Sequence, residues 1–159
     1  MRLCFIDVDG VLNDHERHAN GYCGVKAECV ARLNELLRLF PDVLLVVSSS
    51  WRYLVLNGSC TLDGLTNLFL THGLDCFGRL HGVTASDEEI CGGGRPVEYL
   101  KEHGAEIRRE QIYRYARAQG AARFVVLDDL DLRMPELVRT EGAVGLTADD
   151  VERAAALLR

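Results

Sequence analysis

Asp7-Val8-Asp9-Gly10 sets two carboxylates one residue apart, directly after the apolar run that begins at Leu3. In an extended strand alternate side chains share a face, so Asp7 and Asp9 are expected to converge where the run ends. Two carboxylates about 4 Å apart repel by about 4 kcal/mol at an effective dielectric near ~20. A divalent cation relieves that repulsion, and oxygen ligands with retained waters suit magnesium. The competing reading is a plain turn, because Asp and Gly both favour turns. Taken alone, the four residues leave these two readings level.

The elements that must position these groups are short apolar runs with polar ends. Leu3–Val8 closes on the acids, Val43–Val47 on Ser48-Ser49-Ser50, and Phe124–Leu127 on Asp128-Asp129. Their continuous apolar character predicts strands covered on both faces, as in a parallel sheet. Helical spacing of Val25, Cys29, Leu33, Leu36, Leu37 and Phe40 lies between the first two, with Pro41 just after. Ile112, Tyr115 and Ala116 mark a second helical face. A third helix opens at Thr147-Ala148-Asp149-Asp150, which has the form of a capping box. The alternation predicts an α/β fold, a single doubly wound (Rossmann-like) parallel sheet with helices on both faces and little or no cap. In such sheets functional groups gather beyond the carboxyl ends of the strands. The Gly-rich stretch from Arg52 to His103 reads as less regular, and residues 1–159 read as one domain.

Phe5-Ile6-Asp7-Val8-Asp9-Gly10-Val11-Leu12-Asn13 resembles the opening motif of the haloacid dehalogenase superfamily, and the other strand ends fit its later motifs. The resemblance implies that Asp7 attacks phosphorus to form an aspartyl-phosphate. It implies that Asp9 acts as general acid and then base. Ser48 would hold a phosphoryl oxygen, with Ser49 and Gly10 beside it as substrate contacts. The implied magnesium ligands are Asp7, the main chain of Asp9, and Asp128, with Asp129 a ligand or a partner of one. The third motif, a cation facing the phosphate, has four contenders: Arg95, Lys101, Arg108 and Arg109. A narrower resemblance, to small domains of this superfamily linked to RNA-repair proteins, rests on Ser50-Trp51-Arg52 and on Arg108-Arg109-Glu110-Gln111-Ile112. It puts Arg108 first, with Arg52 as a grip on a distal phosphate.

Other residues carry plainer expectations. Trp51 reads as core rather than a base-stacking platform, His15 and His18 as exposed loop histidines, and Gly92-Gly93-Gly94 as a flexible linker. Asp131 reads as a solvated turn residue. The six cysteines contain no Cys-x-x-Cys pair, so reduced thiols are expected rather than a disulfide framework or zinc site.

A formal charge of −6 gives no global basic field toward nucleic acid or anionic lipid, so any such contact must be local. No apolar stretch approaches the roughly 20 residues of a membrane span, and a cytoplasmic protein is expected. The functional expectation is a magnesium-dependent phosphohydrolase whose partner is a phosphorylated substrate, with polynucleotide phosphate ends as the class the narrower resemblance favours. The alternatives are a small-metabolite phosphatase and a non-catalytic phospho-acceptor or binding module.

Overall fold

The computed structural model describes residues 1–15 and 24–159. In chain order the elements are β1 (Arg2–Ile6), α1 (Ala27–Leu39), β2 (Val43–Val47), α2 (Arg52–Leu56), α3 (Leu62–Thr71), β3 (Leu80–Val83), α4 (Asp87–Cys91), α5 (Val97–Ala118), β4 (Arg123–Asp128), β5 (Leu137–Arg139) and α6 (Ala148–Leu158). The five strands form one parallel sheet in the order β3-β2-β1-β4-β5.

Side chains of β1 alternate between two cores, as the pleat requires. Cys4 and Ile6 join α1 (Leu33, Leu37), α3 (Leu65, Phe69) and α6 (Ala154, Leu158). Leu3 and Phe5 face the other way, against Ile112 and Ala116 of α5. Helices therefore cover both faces, and the doubly wound α/β architecture read from the sequence is the one observed. Trp51 stacks on Phe69 with ring centroids 5.8 Å apart, as a core residue should. Among the described residues Cys4, Cys29, Cys60, Cys76 and Cys91 are free thiols; Cys23 and His18 lie outside those residues.

Two sequence expectations need correction. The first strand stops at Ile6, two residues early, because Val8 to Leu12 turn back on themselves: Leu12 N–H donates to Val8 C=O at 2.8 Å. The stretch Arg52–His103 is more regular than its glycines suggest, holding α2, α3, β3, α4 and the start of α5. Its exposed Gly92, Gly93 and Gly94 join α4 to α5.

Register aligns the chemistry. Ile6 pairs with Val47 on one side and Leu127 on the other. The next residue in each strand direction is Asp7, Ser48 or Asp128. Asp7 N–H bonds Leu127 C=O at 2.9 Å and Ser48 N–H bonds Ile6 C=O at 3.0 Å, so the three stand side by side at the carboxyl edge.

Candidate active site

Arg108, halfway along α5, reaches over that edge. Its Nη1 donates to Asp7 Oδ2 and to Asp128 Oδ2, each at 2.8 Å. The other carboxylate oxygens accept backbone N–H groups, Asp7 Oδ1 from Val8 at 2.8 Å and Asp128 Oδ1 from Leu130 at 2.9 Å. Asp7 is 6% exposed and Asp128 fully buried. Burial pushes the Asp7 carboxyl up to about 7, opposed by Arg108 and reinforced by Asp128. Asp128 is raised as well, first by burial and against the pull of Arg108. Burial disfavours the Arg108 charge, yet the two carboxylates more than offset it and hold the guanidinium protonated.

Of the contending cations only Arg108 makes these contacts. Arg109 donates to Leu132 C=O, Arg95 lies over the Tyr99 ring and bonds Cys91 C=O, and Lys101 is exposed on α5.

Asp7, Asp128 and Asp129 each offer an oxygen within 4.8 Å of the others. Three carboxylates against one guanidinium leave an excess of negative charge in a largely buried place, and all the donors are hard oxygens. That set fits a divalent cation of the magnesium type.

The Asp9 carboxylate is not part of this cluster, which corrects the expectation that it converges with Asp7. Strand alternation no longer applies past Ile6, and Asp9 Oδ1 instead accepts from Asn13 Nδ2 at 2.9 Å. Gly10, at φ +82°, is likewise satisfied inside the protein. Its N–H donates to Asn13 Oδ1 at 2.9 Å and its carbonyl accepts from Thr140 Oγ1 at 2.7 Å. That leaves Gly10 no free backbone N–H for the substrate contact expected of it.

Ser48 is fully buried, and its Oγ has no hydrogen-bond partner among the described residues. Buried hydroxyls are seldom left so, and an orphan beside Asp7 is a ready donor to an incoming oxygen. Ser49 differs: its Oγ accepts the Trp51 N–H at 3.1 Å in a local turn.

Arg52 is also not a free grip for phosphate. Only 4% exposed, it donates to Ala85 C=O, Ser48 C=O, Ser49 C=O, the Tyr53 hydroxyl and Asp87 Oδ1, the last at 2.7 Å. Its fork is spent on pinning the serine loop to the start of α4, with Gln111 Nε2 completing the network on Asp87 at 2.9 Å.

Two residues beside the cluster make contacts the sequence reading did not assign them: Asn13, which closes the opening motif and staples the turn, and His15, read as an exposed loop histidine, whose Nε2 lies 2.7 Å from Asp129 Oδ2. An open cleft of about 850 Å³ begins at His15 and Asp129 and runs past Arg139, Glu141 and Arg153. Among the described residues Asp131 accepts only the Arg133 N–H, as a turn residue does.

A family model described as the HAD domain in Swiss Army Knife RNA repair proteins matches residues 3–151. No curated protein and no solved structure matches the chain.

Proposed function

We propose that this chain, which belongs to the family of HAD domains in Swiss Army Knife RNA repair proteins, is a phosphohydrolase that works through an aspartyl-phosphate on Asp7. The observation that carries this reading is the single Arg108 Nη1 held 2.8 Å from both Asp7 and Asp128. A nucleophilic carboxylate must be ionised, and burial works against that; the guanidinium favours the charged form. In the reaction, Asp7 Oδ attacks phosphorus and the leaving oxygen departs with a proton from Asp9. Water then attacks phosphorus as Asp9 takes its proton, freeing phosphate and Asp7. The Asn13 amide holds the Asp9 carboxylate. Ser48 Oγ donates to a phosphoryl oxygen and Arg108 balances its charge.

Magnesium, when bound, would supply positive charge against the phosphoryl oxygens. Asp7, Asp128 and the Asp9 carbonyl would hold it, with Asp129 beside them. Residues 1–159 serve as one domain in this reading, since α6, which ends beyond the matched span, packs Leu158 into the core shared with β1.

The family's setting supports a polynucleotide end as the substrate class, and the cleft beside Asp129 is open to solvent. Hydrolysis of an aryl phosphate with magnesium, lost on adding EDTA and in Asp7→Asn, tests the enzyme. Its absence from the wild type would favour a non-catalytic module. A 3′-phosphorylated oligonucleotide assayed in parallel tests the substrate: no advantage over the aryl phosphate and no salt dependence would point to a small metabolite.

A further inference from the structure

We infer that His15 is a positioning residue that holds Asp129 in place for the divalent cation, an inference that rests on the metal reading above. His15 itself lies outside the cluster of potential ligand atoms, which is Asp7, Asp128 and Asp129. Its contact with that cluster is the 2.7 Å approach of Nε2 to Asp129 Oδ2. A carboxylate held at one oxygen keeps the other for a cation, and partners of this kind fix how a ligand presents itself.

The surroundings are built for this pair. His15 adopts φ +62°, a left-handed conformation that a side chain-bearing residue seldom takes. Its N–H donates to Asn13 Oδ1 at 3.2 Å, and the same oxygen accepts from Gly10. One amide thus closes the turn and swings the imidazole back over the strand edge.

Two glycines flank the pair from separate parts of the chain. A Cβ on Gly10 would overlap the Asp129 carboxylate and come within 2.6 Å of His15 Nε2. One on Gly142, in the turn closed by the Glu141–Gly145 bridge, would lie 2.7 Å from Asp129 Oδ2 and 3.0 Å from His15 Nε2. The two segments are further tied by Thr140 Oγ1 to Gly10 C=O and by Leu146 N–H to Val11 C=O at 2.8 Å. A left-handed turn, a stapling amide and two flanking positions without side chains converge on one hydrogen bond. A merely exposed loop histidine needs none of them.

The test is magnesium binding by calorimetry on the full chain without substrate, alongside melting of the metal-free protein. His15→Gly removes the donor while easing the left-handed backbone, and His15→Asn keeps a residue that tolerates that backbone but is too short to reach Asp129. Both should weaken magnesium binding by about 10–100-fold while the metal-free melting temperature stays near that of the wild type. Gly142→Ala leaves both partners in the chain but crowds their contact with its Cβ, and it should shift the binding the same way. Variants that bind magnesium within about twofold of a binding wild type would overturn the role of His15 and leave the metal site standing. A wild type that binds no magnesium would overturn both.

Discussion

Asp7 is a carboxyl in a place that resists its charge, and Arg108 works against that resistance. With its folded-state pKa raised to about 7, the protonated form contributes stability that is complete below the unfolded value of about 4 and is lost as pH climbs through about 7. The metal-free wild type should therefore lose melting temperature relative to Asp7→Asn between acid and neutral pH. A difference that stays flat would mean that Arg108 outweighs burial. Arg52 makes a contrasting case. Because its guanidinium is buried against Asp87 and three carbonyls, Arg52→Ala should destabilise the fold by about 3 kcal/mol in denaturant melts. Arg52→Lys should rescue little, since an ammonium cannot span that fork. Near-wild-type stability with selective loss of oligonucleotide binding would restore the phosphate-grip reading.

Among the elements, the central strands were legible and the edges were not. β1, β2 and β4 each have a neighbour on both sides and helices on both faces, so their apolar runs are unbroken. β3 is Leu80-His81-Gly82-Val83 and β5 only Leu137-Val138-Arg139, each with a neighbour on one side alone. Strands so short and mixed carry no usable period. α5 hid its length similarly: of its 22 residues only Ile107, Gln111, Ile112 and Ala116 are buried. For the site, strand-end acids and Ser48 could be read because they follow those runs. The Asn13 and His15 contacts could not, since they depend on a turn and on a loop far away in sequence. The capping box of α6 was legible from four residues, and its Thr147 side chain does accept the Asp150 N–H at 3.3 Å. Thr147→Ala should cost about 1 kcal/mol in thermal or denaturant melts. An unchanged midpoint would show that core packing of Val151, Ala154, Ala155 and Leu158 holds the helix without the cap.

Across the whole molecule, the site is a junction of distant chain. Arg108 and Asp7 are 101 residues apart, His15 and Asp129 are 114, and Thr140 and Gly10 are 130. The β1–β4 ladder is the seam that joins them. The exposed glycines 92–94 fall between the two contributions, with Asp7 and Ser48 before them and Arg108, Asp128 and Asp129 after. A cut there divides the chemistry as cleanly as it divides the sheet, into β1–β3 and β4–β5. Each fragment would carry an unpaired central strand, so each should be poorly soluble and inert alone. Brought together by fused dimerising tags, the two should regain magnesium binding that neither has. Magnesium binding by either fragment alone would refute this. A chain cut at the linker would thus behave as a two-part switch, silent until something else brings its halves into contact.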